Sequence, residues 1–346
     1  MYTGAILEDN RTEEQKAKDY NSLELGLGQK TVWREIDIDN YTHPAFPNGV
    51  KEQGDSTCGS HTQANAMQVI EYKETGNSYP LSCAMPYLYR AGTYEGTSIQ
   101  DVMDTIRKNG TTYEMFMPSD KASDEKVLSY KPTSTDIAIG EVLSVETTFR
   151  IGSFDLMCEY LESSRINGLC NPAMVLSRLG SGDWQKVVTD TGSAKIYGHW
   201  YLAVDYGTIK GVEGIVVADS AMHYSTNKYG FRFVPRDYLY KWANAYVGVT
   251  DKQNAIGGVK AEPTNTYNLK AWTFGDTDCQ ELQRFLSDKG FFPKTQSQTG
   301  YYGNITAGSV KKWQIANNVA SLATINKYEG KYFGPASLRV ANQLLK

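Results

Sequence analysis

The chain has 346 residues, 40% hydrophobic and 21% charged, with a formal net charge of −4. That length accommodates two domains with a buried core, and the composition is that of a soluble globular protein rather than a disordered or fibrous one. No apolar run approaches the roughly 18 residues that cross a bilayer.

The opening "MYTGAILEDNRTEEQKAKDY" lacks the basic start and apolar stretch of a secretory signal. The expectation is synthesis in the cytoplasm without membrane insertion, and another route out if the protein acts outside the cell. Residues 1–40 read as a charged, helical start that either packs on the rest of the domain or forms a small pro-like segment.

Next comes "VKEQGDSTCGSHTQANAMQVIEY", which places Gln53 five residues before Cys58. Ser56 and Thr57 are capping types, and the apolar positions Ala66, Val69 and Ile70 predict an amphipathic helix over 58–75. "TSIQDVMDTIRKN" predicts a second helix over 97–109, with Ile99, Val102, Met103 and Ile106 on one face. "SFDLMCEYLESSRING" predicts a third over 153–168, with Ser153 as N-cap.

After residue 170 the period changes. "PAMVLSRL", "HWYLAVDYG", "GIVVADSA" and "YGFRFVPRDYLYKW" are β-branched and aromatic runs punctuated by glycine, which predict strands. Helices first and strands later give an α+β domain over 1–249. "TDKQNAIGGVKAEPTNTYN" (250–268) has no apolar period and reads as a linker. Residues 269–346 predict a small all-α three-helix bundle. Two of its helices, those of "TGYYGNITAGSVKKWQ" and "EGKYFGPASLRVANQ", follow glycine-bracketed aromatics.

From Ala261 onward ten Lys/Arg stand against six Asp/Glu, so the tail carries +4 and the first 260 residues −8. A modestly basic tail suits an anionic polymer such as a bacterial wall, although mixed surface charge alone explains it equally well. It is too weak, and too free of motifs, for nucleic acid. The five cysteines form no CxxC pair, which argues against a disulfide framework and a zinc site. No His/Asp/Glu cluster has metal-ligand spacing, and no phosphate loop is present.

Cys58 is open to two readings: a nucleophile, or a small buried hydrophobe beside a turn. The positive end of a helix favours a thiolate, and the Gln53 amide with the Cys58 N–H would suit an oxyanion. A base has to come from four histidines. His199 opens a strong strand, and Asp219 ends the next one, placed to fix the imidazole tautomer. His61 sits one helical turn from Cys58 and takes a packing or polar role. His43 and His223 read as surface residues. Trp184, in the loop 181–196 at the cleft rim, either touches substrate or caps the core.

These stretches resemble the papain-like cysteine peptidases over about residues 30–245. "VKEQGDSTCGSHTQANA" is similar to that family's nucleophile motif, "LSCAMPYLYRAG" and "GTSIQDVMDTIRKNG" to the part that follows in divergent bacterial and viral members, and "GHWYLAVDYG" with "GIVVADSA" to its histidine strand and the next. The resemblance implies Cys58 as nucleophile, His199 as general base, Asp219 as the residue orienting it, and Gln53 as the oxyanion-hole glutamine. Three departures stand out. The Gln-to-Cys spacing is one residue shorter than in papain, Gly59 replaces the usual tryptophan, and Asp219 replaces the orienting asparagine. Asp219 matches the related bacteriocin-processing peptidases, whose Asp-x-x-Cys-Gly motif Asp55 to Gly59 also resembles.

The tail resembles a peptidoglycan-binding domain in "LQRFLSDKGFF", "GYYGNITAGSVKKWQ" and "GKYFGPASLRVANQLL". Tyr301, Tyr302, Tyr332 and Phe333 either stack on sugars or stem peptides, or anchor the helices in a small core. Together the two resemblances imply a monomeric cell-wall hydrolase, a phage endolysin or virion-associated lysin. It would cut amide bonds in the peptide part of bacterial peptidoglycan with no metal or organic cofactor, acting after release or as part of a virion. The alternatives are a papain-like protease acting on a protein, or a catalytically inactive phage structural module.

Overall fold

The computed structural model describes residues 31–91, 96–163, 165, 168–195, 197–221, 226–251, 267, 269, 276–294, 296–320, 322, 325–326, 329–331 and 333–345. The chain separates into two compact units with the boundary near residue 256. Most of the expected linker and of the expected N-terminal helix lies outside the described residues.

The first unit opens on helix α1 (Cys58–Thr75). The sequence predicts an amphipathic helix, yet every residue from Cys58 to Glu71 is buried, including Ser60, His61, Gln63 and Asn65. An amphipathic stripe needs one face in water, and α1 has none over its first four turns. Helix α2 (Ala84–Leu88) follows the short strand β1 (Leu81–Ser82). Helix α3 (Ile99–Lys108) starts where expected, because Ser98 and Asp101 form a reciprocal capping box. Strand β2 (Thr112–Tyr113) pairs antiparallel with β1, and helices α4 (Asp124–Leu128) and α5 (Ser134–Val142) complete this part.

The second part is a six-stranded antiparallel sheet in the order β3-β8-β4-β5-β6-β7. Its strands are β3 (Val145–Ile151), β4 (Ala173–Leu179), β5 (Tyr197–Ile209), β6 (Val212–Ala218), β7 (Phe231–Pro235) and β8 (Ala243–Asp251). Helix α6 (Phe154–Ser163) is capped by Ser153, whose Oγ accepts from Leu156 N at 3.2 Å. Phe154, Met157 and Leu161 from α6 pack with Val175, Tyr201, Ile215 and Val217 from the sheet to form the main core.

The run from Tyr229 to Trp242 corrects one expectation. It is a strand only as far as Pro235, after which α7 (Arg236–Trp242) begins. Pro235 cannot donate to a ladder, and its φ of −62° suits the residue just before a helix. Strands β3 and β8 were not among the expected elements.

The second unit contains the helices α8 (Asp276–Asp288), α9 (Asn304–Ala316) and α10 (Pro335–Leu344), and residues 322, 325 and 326 are helical as well. Leu282, Phe285, Leu286, Val310, Trp313, Phe333 and Leu338 are buried in it. The repeated glycine-aromatic turn has one structural meaning in both copies. Gly303 and Gly334 are the N-caps of α9 and α10 with nearly identical extended backbones.

Candidate active site

Helix α1 begins at Cys58 because the chain before it is clamped. Glu52 N donates to Asp120 Oδ1 (2.8 Å), Lys121 N to Glu52 O (2.7 Å), Ser56 N to Asp124 Oδ1 (3.0 Å), and Asp124 N to Asp55 Oδ2 (3.0 Å). The two backbones approach so closely that a Cβ on Gly54 would lie 2.3 Å from Ala122 O. The result is a buried thiol at the positive end of an 18-residue helix. Gly59, the position of the missing tryptophan, faces Thr97. A Cβ there would meet the Thr97 side chain at 2.7 Å, and the Thr97 carbonyl accepts from Trp200 Nε1 at 3.1 Å.

His199 stands on β5 across from Ser177 of β4. Its Nε2 is 2.7 Å from Asp219 Oδ1. Cys58 is its other side-chain hydrogen-bond partner, and with Nε2 taken, Nδ1 is the nitrogen left for the thiol. Burial works against the imidazolium, but Asp219 and then Cys58 outweigh it, and His199 is pushed up to about 9. The three residues that the sequence singled out, far apart in the chain, thus form one line: thiol, imidazole, carboxylate.

Asp219 lies one residue beyond β6 and is fully buried. Its Oδ1 also accepts from Ala221 N at 2.9 Å, and its Oδ2 accepts from Trp184 Nε1 and from Arg232 Nε. Burial alone would raise this carboxyl. His199 and Arg232 reverse the sign and hold it well below the usual carboxylate range.

Trp184 takes the second of its two expected roles. It is 3% exposed and belongs to the main core with Val188 and Tyr201. Its ring stands edge-on to His199 with centroids 5.5 Å apart, and its N–H is spent on Asp219. Two anchors hold its loop. Buried Asp183 gathers Gly180 N, Thr191, Lys195 and the Tyr238 hydroxyl. Beyond Trp184, Phe233 N donates to Lys186 O and Val188 N to Phe233 O along the outer edge of β7.

Gln53 reaches the same place from the other side. Its backbone N donates to Ser220 O (2.9 Å), and the Ser220 hydroxyl donates to its Oε1 (2.8 Å). That fixes which end of the amide faces away from Ser220. One proton of Nε2 goes to Asp55 O (2.7 Å), and an amide nitrogen carries two, so one remains for a substrate oxygen. Ser220 and Arg232 were missed by sequence reasoning. A charged residue between two phenylalanines of a strand, Phe231-Arg232-Phe233, was the available signal.

The other histidines differ from expectation in part. His61 is fully buried, and burial with the nearby Lys51 pushes it well below its ordinary value, so it stays neutral. His43 is not a surface residue. It is 3% exposed, its Nδ1 accepts from Ala45 N (3.2 Å), and burial lowers it to about 4. His223 lies outside the described residues.

In the second unit the four aromatics divide. Phe333 is core, packed on Phe285 and Trp313, which removes it from any ligand surface. Tyr302 is half-buried and donates its hydroxyl to Gly330 O at 2.8 Å. Tyr301 is 77% exposed, and Tyr332 lies outside the described residues.

No protein-family model matches the chain, and no curated protein matches it in sequence. Solved structures do match. Xylellain, a cysteine protease from Xylella fastidiosa, superposes with a TM-score of 0.53 at 14% identity over 72% of this chain and 96% of its own. A procathepsin B from Trypanosoma congolense gives 0.50 at 12% identity over 72% and 86%. At such identities the likeness is one of fold: this chain contains a papain-like α+β domain, with helices on one side and an antiparallel sheet on the other.

Proposed function

We propose that the first unit is a cysteine peptidase with Cys58 as nucleophile and His199 as general acid and base. The observation that carries this reading is the Cys58–His199–Asp219 line, with Nε2 to Oδ1 at 2.7 Å and the thiol at a helix N-terminus. The Cys58 thiolate attacks an amide carbon and its sulfur–carbon bond forms. The carbonyl oxygen takes negative charge beside the free Gln53 N–H and the Cys58 backbone N–H. His199 gives its proton to the departing amine, and the acyl–sulfur bond remains. Neutral His199 then takes a proton from water, whose oxygen displaces the thiolate. Asp219 keeps the imidazole oriented throughout.

For the substrate we propose the peptide part of bacterial peptidoglycan, which makes the protein a wall-lytic enzyme of the endolysin or virion-associated kind. The support is the tail. It is helical, with α9 and α10 both starting from glycine-aromatic turns, presents Tyr301 to solvent and carries +4 from Ala261 onward. Such a unit raises the local concentration of the peptidase on an anionic polymer by tethering. The second reading, a protease acting on a protein, is favoured by the names of the structural neighbours, a cysteine protease and a procathepsin.

The test sets purified peptidoglycan beside casein, with wild type and Cys58→Ala, and reads the fragments by mass spectrometry. New amino termini from the wall, without new reducing ends and absent with Cys58→Ala, are the expected result. Cleavage of casein alone would establish the protein-directed protease. Equal wall cleavage by both forms would remove Cys58 from the mechanism.

A further inference from the structure

Arg232 is the one charged side chain on β7 that is completely buried. It stands opposite Val217 of β6, and Asp219 is two residues farther along on the same face, the diagonal position that a long side chain spans. Its Nε donates to Asp219 Oδ2 at 2.5 Å, its Nη2 to Ala221 O at 2.6 Å and its Nη1 to Trp184 O at 3.3 Å. The guanidinium also lies over the Trp184 ring, 5.2 Å from the centroid. One residue therefore holds the carboxylate, the turn after it and the loop that covers His199.

The charges explain why such a residue is needed. Asp219 is fully buried, and a lone buried carboxylate is strongly disfavoured. Unopposed, it would also bind the imidazolium proton of His199 tightly, and a general acid that holds its proton too firmly donates poorly to a leaving amine. Among the described residues, few titratable or charged groups face His199 and Asp219. They are Cys58 from α1, Asp219 at the end of β6, Arg232 from β7 and Tyr201 from β5. The Tyr201 hydroxyl donates to Ser177 Oγ, and burial keeps it neutral. Arg232 is thus the permanent positive charge on Asp219.

We propose that Arg232 is a positioning residue that offsets part of the Asp219 charge, so that Asp219 orients His199 and holds its proton less firmly than an unopposed carboxylate would. The inference rests on the peptidase reading above and assigns Arg232 a part in it. Its consequence is a pair of opposite errors. Removing Arg232 alone over-stabilises the imidazolium, removing the Asp219 charge alone leaves a bare cation beside it, and removing both restores the balance.

The experiment follows Cys58 alkylation by iodoacetamide against pH, located by peptide mass spectrometry, in the full-length chain. The variants are Arg232→Gln, Arg232→Lys, Asp219→Asn and the double Asp219→Asn/Arg232→Gln, with His199→Ala as reference. The limb that reports loss of the His199 proton is expected to move up by roughly one pH unit in Arg232→Gln and down by roughly one in Asp219→Asn. In the double variant it returns to within about half a unit of wild type, and Arg232→Lys stays near wild type as well. A purely structural role would not produce shifts of opposite sign that cancel. Singles that shift the same way, or a double no closer to wild type than either single, would overturn the inference and leave the peptidase reading standing. Wild-type alkylation no faster than in His199→Ala would sink both.

Discussion

Asp219 and His199 make the site's behaviour depend on pH in two directions. His199 is raised from 6.5 to about 9, so its contribution to stability is complete below 6.5 and is lost as pH rises through about 9. Asp219 is depressed, so its contribution is present above its ordinary 3.8 and is lost only as pH falls below that. Urea midpoints of wild type are therefore expected to decline from pH 7 towards pH 10 more steeply than those of His199→Ala. A parallel decline would mean that the ion pair adds nothing. Gln53→Ala is expected to lower kcat by ~10²–10³, the cost of one oxyanion donor. Ser220→Ala, which leaves the donor but frees its orientation, should cost roughly tenfold with KM little changed. Cys58, His199, Asp219 and Gln53 were all legible in the sequence, because each sits beside a motif or at a strand end. Ser220 and Arg232 were not, because a residue that acts by holding another has no signature until the fold supplies its partner.

At the scale of elements, the approach to α1 is the sensitive joint. Gly54→Ala places a methyl 2.3 Å from the Ala122 carbonyl oxygen, so one of the two clamped backbones has to move. The expected cost is about 1–3 kcal/mol of stability, read by thermal unfolding, together with a fall in kcat because Gln53 moves with Gly54. An unchanged kcat would show that the clamp does not position the oxyanion donor. Helices α3 and α6 and strands β4, β5 and β6 could be read from period and capping. Two features could not. Helix α1 buries polar residues on every side, which no amphipathic pattern encodes. Strands β3 and β8 carry glycine, threonine and charged residues among their apolar ones, and only their place in the sheet order makes them strands. His43 shows the same effect on a single side chain, since an irregular loop reads as surface until it is covered.

For the whole molecule, we propose that two units divide the work, one carrying the chemistry and the other the address. Tyr301→Ala, exposed and outside the helical core, is expected to weaken co-sedimentation with purified peptidoglycan by several-fold while leaving Cys58 alkylation unchanged. Phe333→Ala, by contrast, empties a core position at a cost of about 3–5 kcal/mol and should unfold the tail. Unaltered sedimentation in Tyr301→Ala would mean that this tyrosine is not part of a wall surface. The helices α9 and α10 were visible in the repeated turns before them, whereas the division of the aromatics between core and solvent was not.

The central claim is that Cys58 is a nucleophile activated by His199, and its most direct measurement is site-resolved alkylation at mildly acidic pH. Wild type and His199→Ala are exposed to iodoacetamide at pH 6, and all five cysteines are quantified by peptide mass spectrometry. The arrangement predicts rapid, selective modification of Cys58 in wild type and slow modification in His199→Ala, with the other four cysteines inert in both. Equal rates at Cys58 in the two proteins, or labelling spread evenly over the five thiols, would contradict it.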